Sequence, residues 1–340
     1  MISQWMAQGY LGIDDGDSPL ELEGFEYFQC LEARCFFQDF VDHGDGLQCK
    51  MHDLVHDFAL FLTRGEFMTL EIFKGNESST LNRERTLRHL TVVVENRFCS
   101  PEFIPNAEKL RSFVAYRKSG YNCAAINEKA MCDLFNQARR LRLVVMVGYD
   151  GSTIPEEIRS LLHLRYLNLG LSRNLEKLPK ALFRLHNLEH LHLYYCYNLE
   201  RLPDEIGNLV NLKLLHTEGC YKLTCYPKEV VRLTRLTQLL GLIVRIDRDD
   251  PKEFSIGDLA HLKKLLVLSM EIVGNKINVG EAKKVKLQNL QEEVKILVDW
   301  DIAEADHVIL DSLNMSSVPR HSFQTDYYMR NGFNAPRNEW

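Results

Sequence analysis

Two kinds of hydrophobic spacing divide the chain. Leu164, Leu188, Leu212 and Leu236 return at a fixed step of twenty-four, and Pro155, Pro179, Pro203 and Pro227 keep the same step. Written out, Leu188-x-x-Leu191-x-Leu193-x-x-Cys196-x-x-Leu199-x-x-Leu202-Pro203 is followed by Leu212-x-x-Leu215-x-Thr217-x-x-Cys220-x-x-Leu223. The unit before them runs Leu164-x-x-Leu167-x-Leu169 and then Leu175-x-x-Leu178-Pro179. A sustained period of this size marks stacked structural repeats. Alternation at Leu191 and Leu193 predicts a short strand with one face inward. Leu199 and Leu202 are expected to bury the returning segment, and Pro203 to end any helix begun there. No unit of this length buries its apolar face alone, so stability comes from stacking neighbours. Each buried leucine contributes about 1.5–3 kcal/mol as an upper estimate.

The pattern is looser on both sides. A degenerate unit places Leu141, Val144 and Met146 in the leucine slots at a step of twenty-three. Ahead of it, Arg88-His89-Leu90-Thr91-Val92-Val93-Val94 and Lys109-Leu110-Arg111-Ser112-Phe113-Val114 read as strand-bearing leading units. Beyond Leu236 the pattern loosens into Leu239-Leu240-Gly241-Leu242-Ile243-Val244. It returns through Asp258-Leu259-x-x-Leu262-x-x-Leu265 and Lys286-Leu287-x-x-Leu290. Residues 316–340 are polar, aromatic and aperiodic, and are expected to form an irregular tail.

Residues 1–75 follow a different rule. Ser18-Pro19-Leu20-Glu21 is a helix start with a capping box, and Leu22, Phe25, Phe28 and Leu31 mark an apolar helical stripe behind it. Phe36-Phe37-Gln38-Asp39-Phe40 predicts a strand, Asp42-His43-Gly44-Asp45-Gly46 a turn, and Leu47-Gln48-Cys49-Lys50 a returning strand. A second helix is expected near Met51, with Leu54, Val55, Phe58, Phe61 and Leu62 on one side. Helix, hairpin and helix outline a winged-helix module.

The repeats resemble the leucine-rich repeat, a family that often has Asn or Cys at the positions of Cys196 and Cys220. With the N-terminal motifs the resemblance becomes more specific. Trp5-Met6-Ala7-Gln8-Gly9-Tyr10, Glu26-Tyr27-Phe28, Arg34-Cys35-Phe36-Phe37-Gln38 and Met51-His52-Asp53-Leu54-Val55-His56-Asp57 appear in the order found in plant immune receptors of the nucleotide-binding, leucine-rich-repeat class. The chain is similar to the C-terminal part of such a receptor. The expected fold class is α/β: a helical winged-helix module over residues 1–75, then an irregular leucine-rich-repeat solenoid, the horseshoe form, over 85–315. The resemblance implies a role in disease resistance, with the repeats recognising a pathogen effector or a guarded host protein. In an intact receptor the repeats also contact the nucleotide-binding region and hold it off. The same family uses the histidine of its M-H-D motif against the phosphates of ADP. This implies His52 as a cofactor-binding residue, with Asp53 the supporting acid. A general scaffold or adaptor of intracellular signalling is the alternative that the repeats alone leave open.

Composition narrows the chemistry. No G-x-x-x-x-G-K-[ST] sequence occurs in the chain. Most of the binding energy for a nucleotide is therefore expected to be missing, with no ATPase activity and no cofactor for this chain alone, although ADP and ATP serve the intact family. The chain begins where a complete receptor would already have passed its nucleotide-binding core, so a truncated gene product, a partial gene model or a decoy is expected. Hydrophobic residues at 45% and charged residues at 26% fit a globular protein. A net charge of -6 argues against nonspecific nucleic-acid binding. No run of eighteen apolar residues predicts a membrane span. The nine scattered cysteines lack paired spacing and suggest reduced thiols and a cytoplasmic location.

Three further motifs bear on chemistry. His52-Asp53-Leu54-Val55-His56 places two imidazoles one helical turn apart, as zinc hydrolases do, but the acid is Asp and no third ligand follows at a recognisable distance. No metal site and no catalytic residue is expected. Asp14-Asp15-Gly16-Asp17 lacks the spacing of a calcium loop, and Lys276, Lys283, Lys284 and Lys286 read as a solvated face. The repeat strands offer a surface instead. With Leu191 and Leu193 inward, His190, His192 and Tyr194 point outward on the concave side. Their equivalents are Tyr166, Asn168 and Gly170 in one neighbouring repeat and Leu214, His216 and Glu218 in the other. Tyr166, Asn168, His190, His192, Tyr194, Leu214, His216 and Glu218 are the partner-binding candidates. Asn168, His192 and His216 are expected to form one column at a strand spacing of about 4.8 Å.

Overall fold

A computed structural model describes residues 1–11, 20–42, 47–63, 65–72, 87–94, 107–117, 128–245, 250–273 and 293–298. The expected acidic turn at 14–17, the helix cap at Ser18 and Pro19, the hairpin turn at 43–46, the lysines from 276 to 286, the leucines at 287 and 290, and the tail at 316–340 lie outside the described residues. The chain divides into two units. The first takes Met1–Asp150, Pro155–Leu169 and Asn187–His190, and the second takes Gly151–Ile154, Gly170–His186 and Leu191–Trp340.

The first unit begins with α1 (Ile2–Gln8), α2 (Leu20–Ala33), the antiparallel pair β1 (Phe37–Asp42) and β2 (Leu47–Met51), and α3 (Asp53–Leu62). This is the helix, hairpin and helix order expected of a winged-helix module. Gly9 ends α1 at φ 75, and its backbone N–H returns to the Met6 carbonyl, as a left-handed C-cap requires. The apolar stripes of α2 and α3 differ from expectation. Gly24 is the one buried residue of α2, and α3 buries none; Leu54 stays 75% exposed and Phe58 60%.

Parallel strands follow: β3 (Phe67–Ile72), β4 (His89–Val94), β5 (Ser112–Arg117), β6 (Leu143–Met146) and β7 (Tyr166–Asn168). Each pairs with the next. Strand β3 falls within residues 1–75 yet extends the repeat sheet, because its backbone continues the ladder of β4. The twenty-three-residue step appears directly, with Val144 opposite Leu167. Between β5 and β6 runs α4 (Glu128–Gln137), which buries Ala130, Met131, Leu134 and Phe135 on one face. This spacing is helical, and the Ser160 hydroxyl donates to the Phe135 carbonyl at 2.7 Å.

Strand β8 (His190–His192) straddles the division. The second unit carries β9 (Leu214–His216), β10 (Gln238–Arg245), β11 (Val267–Val273) and β12 (Glu293–Val298), again parallel. Leu215 stands opposite Leu239, one repeat apart. The loosened run after Leu236 is an eight-residue strand whose register shifts between Leu240 and Leu242. Gly241, at φ 82, occupies that bulge, where an added Cβ would press on the Thr217–Glu218 backbone.

Pro203, expected to end a helix, instead begins a turn, as its three counterparts do. Pro155, Pro179, Pro203 and Pro227 each stand at the N-cap of a 3-10 turn, over Glu156–Ser160, Lys180–Arg184, Asp204–Asn208 and Lys228–Arg232. A fixed φ and a missing N–H suit the start of a turn, whose first donors have no partner inside it. The leucines behave as the period predicts: Leu188, Leu191, Leu193, Leu199, Leu212, Leu215 and Leu223 are fully buried. Cys196 and Cys220 are buried too, and the Cys220 thiol lies 3.0 Å from the Leu193 carbonyl.

Candidate functional site

In the second unit, β9 and the residues after β8 hold the candidate surface by backbone bonds. Leu193 N–H donates to the His216 carbonyl and Tyr195 N–H to the Glu218 carbonyl, each at 2.7 Å. These bonds extend the strand ladder past its formal ends, so the outward side chains stand on a fixed frame. The His192 and His216 rings meet edge-on at 5.9 Å, and Tyr194 approaches His216 at 5.1 Å. Glu218 Oε2 lies 3.5 Å from His216 Nε2. The expected neighbours 192 and 216 are therefore brought together, with Tyr194 and Glu218 closing the group. All four side chains are half-buried, so each keeps one side in solvent.

Tyr194 lies over Gly170, whose missing side chain leaves room for the ring. The phenol is thus fixed by a glycine one repeat earlier. Gly219, at φ 74, gives the same close approach to Tyr195. A second aromatic run continues from there, with Tyr195 against Tyr197 at 6.1 Å and Tyr197 stacked on Tyr221 at 5.3 Å. Arg173 sits over the Tyr197 ring at 5.4 Å, a cation–π distance. Tyr195, Tyr197, Tyr221 and Arg173 were not among the sequence candidates. The signal was present in Tyr194-Tyr195-Cys196-Tyr197, but these residues follow the strand and escape a two-residue alternation.

The other candidates lie differently. Tyr166 is only 6% exposed. It packs with Ala7 of α1, Leu143 and Val145, with Val114 and Val147 beside them. Alternation places Tyr166 on an open outward face, whereas a helix from the N-terminal module covers it. Arg142 secures that cover by donating from Nη1 to the Gln8 carbonyl at 2.7 Å. Tyr10 adds a contact of 3.2 Å to His89 Nε2, and His89 Nδ1 lies 2.7 Å from the Ser112 hydroxyl. Burial first, with the charge of Arg111 next and Arg88 after it, brings His89 down to about 4 against the opposing pull of Glu66. Asn168 and His190 of the first unit and Leu214 of the second are also buried, so their side chains present little surface. The His190 ring lies 5.7 Å from Tyr166.

His52 stands at the N-cap of α3. Its backbone N–H donates to the Phe36 carbonyl at 2.9 Å, and its Nδ1 accepts the Leu54 N–H at 3.3 Å. An accepting Nδ1 leaves Nε2 as the protonated nitrogen, a single donor for an anion. Asp53 is exposed in the first helical turn. One imidazole donor is a small part of a nucleotide site, and the chain has no Gly-rich phosphate loop with its lysine. The residues present therefore do not by themselves fit ADP. Among the described residues, no three His, Cys, Asp or Glu side chains group as metal ligands, and no helix is long and apolar enough to cross a membrane.

Comparison with known proteins agrees with this division. Residues 1–59 match the disease resistance protein winged helix domain, and residues 109–330 match the leucine-rich repeat region family. The chain is 30% identical over 183 residues to disease resistance RPP13-like protein 1 of Arabidopsis thaliana, covering 52% of this chain and 16% of that protein. It is 32% identical over 117 residues to disease resistance protein RGA2 of Solanum bulbocastanum, covering 34% of this chain and 11% of that one. The matched part is thus a small share of either relative's length. Among solved structures, a leucine-rich-repeat protein of Leptospira interrogans is similar at 21% identity and a TM-score of 0.42, over 70% of this chain and 60% of that one. The chain belongs to the leucine-rich repeat region family, with a match to the disease resistance protein winged helix domain ahead of the repeats.

Proposed function

We propose that this chain is a noncatalytic recognition and regulatory component of plant innate immunity, acting in the cytoplasm. Its repeats take a protein partner, either a pathogen effector or a host protein under guard. The observation that carries this reading is the rigid, half-exposed group of His192, Tyr194, His216 and Glu218, continued by Tyr195, Tyr197, Tyr221 and Arg173. Aromatic rings and an arginine on a fixed frame are the residue types that dominate protein interfaces, because they contribute large contact area at small entropic cost. The names of the relatives, which are disease resistance proteins, supply the biological setting. His52 and Asp53 are assigned as the remnant of an ADP-sensing latch, acting together with a nucleotide-binding region.

Expression in leaf tissue tests this reading. The chain and a variant carrying His192→Ala, Tyr194→Ala and His216→Ala would be compared for cell death and pathogen growth at matched protein levels. The wild type is expected to alter the defence response and the variant to lose that effect while melting at a similar temperature. An unchanged response from a folded variant would remove the surface from the mechanism.

A further inference from the structure

The residues that follow β7, β8 and β9 repeat a backbone shape as well as a sequence step. Leu171, Tyr195 and Gly219 stand twenty-four residues apart and take φ values of 60, 54 and 74. Leu171 N–H donates to the Tyr194 carbonyl and Tyr195 N–H to the Glu218 carbonyl, both at 2.7 Å, so successive repeats build the same turn. Glycine takes this left-handed backbone freely, as Gly219 does, whereas a Cβ is strained in it. Leu171 in that place is half-buried, but Tyr195 is 40% exposed and gains little shelter for the strain. Strain kept at a bulky surface ring points to use of the ring rather than to packing.

The next repeat seats that ring. A Cβ added to Gly219 would run into it, so the ring lies against the Gly219 backbone. Tyr194 and Tyr197 meet Tyr195 nearly edge-on, each at 6.1 Å, with interplanar angles of 86° and 75°. Beside it, Arg173, Tyr197 and Tyr221 occupy one position of three successive repeats, again twenty-four residues apart. Arg173 covers Tyr197 at 5.4 Å, and Tyr197 stacks on Tyr221 at 5.3 Å. Arg173 and Tyr221 are both exposed. Among the described residues, Arg173 has no carboxylate partner, so a guanidinium held in place by a ring is left to face solvent.

We propose that this column binds a proline-rich segment of a partner protein in the polyproline II form, with an acidic residue on Arg173; this rests on the reading that the repeats take a protein partner. A polyproline II helix returns to the same face every third residue, about 9.3 Å along its axis. Two repeats at the strand spacing come to about 9.6 Å. Residues i and i+3 of such a segment therefore meet Arg173 and Tyr221, with Tyr197 between them. An extended strand brings alternate residues to one face every 6.8 Å or about that, and falls out of step with the column. Proline rings suit tyrosine-lined surfaces, and the preformed helix loses little entropy on docking. The guanidinium without a carboxylate sets the charge of the segment, because its fork pairs with a carboxylate through two hydrogen bonds.

Fluorescence polarisation on the full chain tests it. The probes are a labelled oligoproline peptide carrying one glutamate, the same peptide with glutamine there, and an alanine-rich helical peptide carrying the glutamate. Saturable binding of the glutamate oligoproline is expected, about tenfold tighter than the glutamine form. Arg173→Gln should weaken the first about tenfold and leave the second unchanged, because guanidinium and carboxylate act as a pair. Tyr195→Gly should weaken both yet hold the thermal midpoint, since glycine takes the same turn in the next repeat. No saturable binding, or equal weakening of both oligoprolines by Arg173→Gln, overturns the proposal. So does tighter binding of the helical peptide, or displacement of the oligoproline by cellohexaose, which would give the rings to a helix or to a sugar. A fall in the midpoint of Tyr195→Gly by about 5 °C or more also overturns it, making the ring a packing element. The leaf assay separates the two levels. Failure of oligoproline binding beside a lost response in the His192, Tyr194 and His216 variant rejects this class of segment alone. An unchanged response rejects the partner reading itself.

Discussion

The leucines of the repeats and the apolar residues of α3 look alike in sequence and end in opposite environments. Leu191 and Leu215 are fully buried, whereas Leu54, Phe58, Phe61 and Leu62 are all more than half exposed. Both sets follow a regular spacing. The repeat leucines are closed by the next copy of the same unit, so one periodic sequence supplies both halves of each contact. A helix stripe identifies a face but not what covers it. Burial can be read from a period only when the period also supplies the partner.

Substitutions in the two regions should separate them sharply. Leu191→Ala removes a fully buried side chain and should cost about 2–5 kcal/mol, seen as a fall in the thermal midpoint. A loss below about 1 kcal/mol would mean that the repeats relax around the cavity more than a close-packed core allows.

Acid should act next, through α1, the part of the N-terminal module that is anchored. His89 titrates near 6.5 when unfolded and near 4 when folded, so the fold favours its neutral form. Stability is complete above pH 6.5 and falls as pH drops toward 4, by about 2 kcal/mol after discounting for solvent screening. His89→Gln should flatten that part of a pH-stability curve. An unchanged slope would assign the acid sensitivity to another group.

Gly170→Ala comes third. The new methyl must displace the Tyr194 ring, costing about 1 kcal/mol and spoiling the aromatic group more than the fold. Tyr194 fluorescence in an otherwise Tyr-depleted background, or its ring resonances, would report the shift. The smallest effect belongs to the exposed helix: Phe58→Ser should change stability by less than about 0.5 kcal/mol. A large loss there would mean that Phe58 is covered in the folded chain.

Much of this was legible in the sequence. The strands at 166–168, 190–192 and 214–216 follow from leucine alternation, and the neighbours His192 and His216 from a shared register. Tyr166 departs from expectation because alternation says which face a side chain takes, not whether a helix from the start of the chain lies on it. Pro203 departs from expectation because the same locked φ that stops a helix also starts a turn. Tyr195, Tyr197 and Tyr221 were missed because they lie past the strand ends, where backbone bonds such as Tyr195 to Glu218 continue the ladder without a two-residue pattern.

The central claim is that binding chemistry resides in the repeats and not at the M-H-D histidine alone. Titration of ADP and ATP into the purified chain, with His52→Ala alongside, tests it most directly. No heat of binding to either nucleotide, for the chain or the variant, is predicted, since one half-buried imidazole and a helix start cannot replace a phosphate loop. Tight ADP binding abolished by His52→Ala would contradict it and place a complete nucleotide site within these 340 residues.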